Sequence, residues 1–162
     1  MTASVGSEAG MFKQRLKKRS DEAVARFVAQ LGREVRLRCV LLFGSYARGN
    51  FTESSDADVC VVADGLPQDL FARRRLHGRE VIPGVSAMGF TPEEFLELLR
   101  QGNFLVLDIM ADGAVVFDDG FSAQARAEFT ATVQRLGLVR EVNGWRFRVP
   151  RLRMGWEQER QT

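Results

Sequence analysis

Histidine occurs once in these 162 residues, tyrosine once and cysteine twice, and that scarcity narrows the chemistry. The lone His77, in the basic stretch "RRRLHGRE", reads as a surface residue rather than a base. Cys39 and Cys60 each sit inside an apolar, β-branched run and have no pair spacing for zinc, so they read as buried free thiols. A disulfide framework is thereby excluded, which fits a reducing compartment; the expected location is cytoplasmic. No apolar run reaches membrane-spanning length, and "MTASVGSEAG" lacks the basic-then-apolar order of a secretory signal, so no membrane partner is expected. An excess of one charge is missing too: 23 basic against 21 acidic residues leave only +2. Basic clusters at 13–19, 73–75 and 140–153 read as solvated faces, and nucleic acid is not indicated as a partner.

What is present is the length and apolar content of one globular domain without repeats or low-complexity segments. Residues 1–10 are small and polar and are expected to be disordered. Over 11–31, Phe12, Leu16, Val24, Phe27, Val28 and Leu31 recur at helical spacing, with Ser20 as a cap for a second helical segment. Residues 35–43 read as a strand that becomes buried on both faces, and 58–63 as another. A helix is predicted from Leu66-Pro67 through Arg75. A strand over 80–90 is interrupted by Pro83-Gly84, which marks a bulge or an edge. Thr91-Pro92-Glu93-Glu94 carries a cap, a proline at the first helical position and a capping box. A short helix over 104–110, a strand over 114–117 and a helix over 121–136 follow. Asn143-Gly144 then joins two short strands in a hairpin. This order gives a small α+β (α/β) domain, a mixed sheet flanked by helices. The domain proper spans 11–136, with the hairpin and tail of 137–162 packed on it.

The chemistry lies in "LLFGSYARGNFTESSDADVCVV", residues 41–62. Gly44-Ser45 ends a strand where the backbone can approach a ligand, and amide and hydroxyl donors can converge on phosphate oxygens. If residues 46–49 start a short helix, its N-terminus adds to that anion preference, and Arg48 brings a guanidinium. Asp56 and Asp58, two apart, leave the same face of an extended strand. Two carboxylates so close repel one another unless a divalent, oxygen-seeking cation such as Mg²⁺ or Mn²⁺ sits between them.

Phe43-Gly44-Ser45-Tyr46-Ala47-Arg48-Gly49 with Ser55-Asp56-Ala57-Asp58-Val59 resembles the signature of minimal nucleotidyltransferases, the small prokaryotic members of the DNA polymerase β-like superfamily. The likeness extends more loosely to "TPEEF" (91–95) and to 103–120. It implies that Gly44, Ser45 and Arg48 bind a nucleoside triphosphate, with ATP the one expected, and that Asp56 and Asp58 are the catalytic carboxylates and hold the metal. It implies transfer of NMP to a hydroxyl on a protein, an RNA end or a small molecule. It also implies a helical HEPN-type partner encoded nearby; separately, an exposed apolar face on the C-terminal hairpin would be compatible with a homodimer. The sequence departs from the family at one point. A third acid is expected on the 80–90 strand near Ser86, where 85–88 offer none; Glu80 is the nearest substitute and Asp108 a remoter one. A protein that keeps the pocket and acts by binding alone is the alternative.

Overall fold

A computed structural model describes residues 5–73, 76 and 82–148. Helix α1 (Val5–Leu31) is one continuous element, beginning inside the stretch expected to be disordered. Ser20 is therefore not a cap but a mid-helix residue, and it is buried. Strand β1 (Arg36–Phe43) leads into the short helix α2 (Gly44–Arg48), and β2 (Ala57–Asp64) returns beside it. After helix α3 (Leu70–Arg73) come β3 (Val85–Phe90) and α4 (Pro92–Arg100). Then α5 (Phe104–Asp112), β4 (Ala114–Asp118) and α6 (Phe121–Leu136) precede the hairpin β5 (Leu138–Glu141) and β6 (Gly144–Phe147). His77, Glu80 and the sequence after Arg148 lie outside the described residues.

The main sheet has the order β3-β2-β1-β4; β1 is antiparallel to both neighbours, while β2 and β3 are parallel. Its two faces are sorted by side-chain alternation. Val59, Val61 and Ala63 join Val40 and Leu42 against Val24, Phe27 and Leu31 of α1. Cys60 and Val62 join Cys39 and Leu41 against α4, α5 and α6, where Phe95, Leu99, Leu107 and Ile109 are fully enclosed. Leu37 and Cys39 share parity yet belong to opposite faces. A register shift between them, against β2, turns the strand over. Simple alternation along 35–43 misses this bulge. Arg38, at the bulge, is held by Asp119 (Nε to Oδ2, 2.7 Å) and Asp64 (3.2 Å).

Pro83-Gly84 precedes β3 rather than interrupting it, and β3 is an edge strand as the proline suggested. The capping box of α4 forms in full: the Glu94 N–H donates to Thr91 Oγ1 (3.2 Å) and the Thr91 N–H to Glu94 Oε2 (3.1 Å). Arg73, read from sequence as part of a solvated basic face, is instead 5% exposed. It donates to the Glu94 carboxylate (2.9 Å to Oε1) and so ties α3 to the start of α4. These bonds, from Arg73 above all, hold the Glu94 carboxyl below its ordinary value of 4.5. A depressed acid stabilises the fold above its unfolded pKa and ceases to do so as pH falls through the folded one. Urea titrations of Glu94→Gln are thus expected to show a shallower loss of stability than wild type as pH drops below 4.5.

The hairpin packs on the rest of the domain. Trp145 meets Phe129 of α6 edge-on (6.0 Å between ring centres) and its indole N–H donates to Asp108 Oδ1 at 2.7 Å. Arg140 bridges Asp108 and Asp112 of α5.

Candidate active site

The site is built at one end of the sheet, where β1 stops and β2 starts. Phe43 is the register partner of Asp58. The chain leaves β1 through Gly44, whose φ of +71° lies in the left-handed region. The choice of glycine has a second cause: a Cβ at this position would stand 2.3 Å from Asp58 Oδ2. The Gly44 turn and the Asp58 carboxylate are therefore in contact, a relation that neither motif reveals alone.

Helix α2 is anchored from below. Tyr46 is buried and stacks on Phe51 (4.2 Å between ring centres, 11° between planes). Gly49 ends the helix in the left-handed conformation and its N–H donates to Ser45 O at 2.9 Å. Lys13 of α1 donates to Gly49 O and lies over the Phe51 ring. With its inner side held this way, Arg48 is exposed and Ser45 half-exposed. At five residues α2 is too short to sum the peptide dipoles expected of a helix N-terminus. The donors left at this end of the sheet are the Gly44-Ser45 backbone, the Ser45 hydroxyl and Arg48.

Asp56 is exposed in the loop before β2, and Asp58 is half-buried inside the strand. Burial first, and the nearby Asp56 charge second, push the Asp58 carboxyl up from its ordinary value, while Arg48 pulls it down. That pattern puts both aspartates and Arg48 within electrostatic reach of one another. The loop is fixed by its own hydroxyls: the Thr52 N–H donates to Ser55 Oγ (2.8 Å), and the Ser55 N–H to Thr52 O (3.1 Å). The Ala57 N–H donates to Gly84 O at 2.7 Å, which sets the turn before β3 beside Asp56.

Ser86 is the direct register partner of Asp58 across the parallel β2-β3 pair, and it is exposed. The place expected for a third acid is thus next to Asp58, with a neutral hydroxyl in it. Asp108 is no substitute, because Trp145 and Arg140 occupy it on the hairpin side. Among the described residues no third His, Cys, Asp or Glu completes a cluster with Asp56 and Asp58. The two carboxylates nonetheless suit a divalent cation, which would relieve the repulsion that, after burial, raises Asp58.

A family model for the nucleotidyltransferase domain matches residues 22–106. The chain belongs to that family. The match takes in just over half of the sequence and includes Gly44, Ser45, Arg48, Asp56, Asp58 and Ser86. Nucleotidyltransferases of this family are transferases that generally use divalent metal ions. The chain is also 44% identical, over 46 residues, to a protein of Methanocaldococcus jannaschii provisionally named a protein adenylyltransferase. That likeness covers 27% of this chain and 46% of the relative, so the chain spans under half the length of the curated relative it matches. Among solved structures, a provisionally named nucleotidyltransferase from Sulfolobus solfataricus superposes with a TM-score of 0.51 at 19% identity, over 66% of this chain and 87% of that one. It shares the fold. A chain from a toxin–antitoxin complex crystallised with AMP-PNP is more distant, with a TM-score of 0.47 at 15% identity, over 71% and 90% of the two chains.

Gly44 gives the site its first test. Alanine here would strain a positive φ, at a cost of about 1–2 kcal/mol, and drive Cβ into the Asp58 carboxylate. Gly44→Ala is expected to melt several degrees lower and to bind an ATP analogue more weakly, as measured by thermal scanning and calorimetric titration. Two features of this region escape sequence reasoning: the contact of Gly44 with Asp58, and the burial of Ser20 behind the loop that carries Asp56. Only the glycine itself, in a turn that a small polar residue could also make, hints at the first.

Proposed function

We propose that this nucleotidyltransferase transfers AMP from ATP to a hydroxyl of a protein partner. Gly44 and Ser45 hold the β- and γ-phosphates, Arg48 adds positive charge beside them, and Asp56 and Asp58 would hold Mg²⁺ (or Mn²⁺). The metal, when bound, neutralises charge on the phosphates and on the entering and leaving oxygens. The acceptor oxygen forms a bond to the α-phosphorus, pyrophosphate leaves in line with the bonding electron pair, and the hydroxyl proton passes to water. The observation that carries this reading is the contact of the Gly44 turn with Asp58, which makes one site of the phosphate and metal motifs.

ATP and a protein acceptor are supported by the name of the M. jannaschii relative over the matched 46 residues. The resemblance to minimal nucleotidyltransferases makes a HEPN-type protein, encoded beside this one, the acceptor to try first. A second reading draws on Ser86: with a neutral residue beside Asp58, the protein binds nucleotide and partner and neutralises the partner without modifying it. Incubation with Mg²⁺, labelled ATP and the HEPN-type partner separates the two. Label on the partner that vanishes in an Asp56→Asn/Asp58→Asn protein supports transfer. Tight partner binding in both proteins, with label in neither, supports binding alone.

A further inference from the structure

Lys13 of α1 reaches out of its own helix. One turn further along, Lys17 has an acid at the i+4 position, Asp21, and pairs with it at 2.6 Å. Lys13 has Lys17 at that position and Ala9 one turn back, so α1 offers it no local carboxylate. Its ammonium goes instead to the carbonyl oxygen of Gly49, 36 residues away, and lies 5.2 Å from the centre of the Phe51 ring. Both contacts fall on the segment that closes α2. Gly49 has a φ of +81°, and a glycine passes readily between this conformation and others. The N–H groups of Gly49 and Asn50 both donate to Ser45 O, at 2.9 and 3.1 Å. Phe51 stacks on Tyr46, which is 7% exposed and belongs to the core between α1 and the sheet.

We infer that Lys13 is a positioning residue for the nucleotide site: through Gly49 and Phe51 it holds α2 closed and thereby fixes Ser45 and Arg48. The linkage is short. An ammonium bonded to Gly49 O keeps that peptide in place, and the Gly49 and Asn50 N–H groups then hold the Ser45 carbonyl. Arg48 is the residue directly before Gly49. A charged donor on a backbone carbonyl restrains it more strongly than a neutral one, and the ring beside the ammonium adds a cation–π attraction. With five residues α2 cannot keep its own shape, because isolated helices so short do not persist in water. Its order is imported, from the core through Tyr46 and from α1 through Lys13. The inference rests on the reading of Gly44, Ser45 and Arg48 as the phosphate-binding residues, and adds to it the side chain that pre-organises two of them.

The test uses the full chain with Mg²⁺ and α,β-methylene-ATP, with binding followed by calorimetry and each protein melted by thermal scanning. Lys13→Met keeps a long side chain and loses its charge and its donor. It is expected to weaken binding of the analogue about tenfold, the loss of one charged hydrogen bond. Because Lys13 is exposed, the melting temperature should change little. Lys13→Arg, which keeps a cationic donor, is expected to restore most of the affinity. A double-mutant cycle separates positioning from the plain attraction of a cation for phosphates. Phe51→Leu leaves the charge of the site unchanged and is expected to weaken binding as well; combined with Lys13→Met it should cost little more than either change alone. Additive losses, the mark of a charge that acts independently of Phe51, overturn the inference. So does an unchanged affinity in Lys13→Met, or a loss that only follows a lowered melting temperature. A wild-type protein that does not bind the analogue overturns the reading of the site itself.

Discussion

Asp58→Asn is expected to lower AMP transfer by about a thousandfold or more while leaving the fold intact. The amide keeps the shape of the carboxylate and loses the charge that, in the proposed reaction, would hold a divalent cation against the triphosphate. Charge stabilisation of that kind is worth several kcal/mol in the transition state, and each tenfold in rate corresponds to about 1.4 kcal/mol. Stability should move the other way. Asp58 is half-buried, and burial with the adjacent Asp56 charge holds its carboxyl above the ordinary range. The ionised group is therefore a burden on the metal-free fold at neutral pH. Asp58→Asn should melt at the wild-type temperature or above it, so loss of activity cannot be ascribed to unfolding. A variant that loses activity only in proportion to a lowered melting temperature would contradict a chemical role for Asp58.

The second large effect is a gain. Ser86→Asp places an acid beside Asp58 in the register of the parallel β2-β3 pair and supplies a third carboxylate, which β3 lacks. A positioned general base contributes about 10²–10⁴-fold; the rate of transfer is expected to rise by about a hundredfold over wild type. Three carboxylates repel more strongly than two, so the metal-free variant should melt lower and recover more on adding Mg²⁺ than wild type does. Ser86→Asn, neutral and similar in size, should give neither effect. Equal rates in wild type and Ser86→Asp, beside a larger Mg²⁺ stabilisation, would mean that the base already comes from elsewhere.

Much of this was legible in the residues. The apolar runs of β1 and β2, the glycine turn, the paired aspartates and the complete capping box of α4 are local, and local chemistry reads from sequence. The resemblance pointed to Ser86, and the structure pairs Ser86 with Asp58 across β2 and β3. What sequence could not give depends on tertiary partners. The bulge between Leu37 and Cys39 arises from pairing with β2. Arg73 is buried because Glu94 is within reach of it, although the triple arginine reads as a solvated run. Ser20 offers the polar hydroxyl of a cap, yet α1 runs straight through it and the core closes around it. Asp108 looks available until Trp145 and Arg140 of the hairpin take it.

The central claim is that this site moves the nucleotidyl group and not the terminal phosphate. Two parallel reactions with Mg²⁺ and the HEPN-type partner decide it, one with ATP labelled at the α-phosphate and one with ATP labelled at the γ-phosphate. The account predicts that the α-label becomes covalently attached to the partner while the γ-label is recovered in pyrophosphate. Covalent γ-label on the partner, or pyrophosphate-free release of phosphate with no α-label transferred, would contradict it.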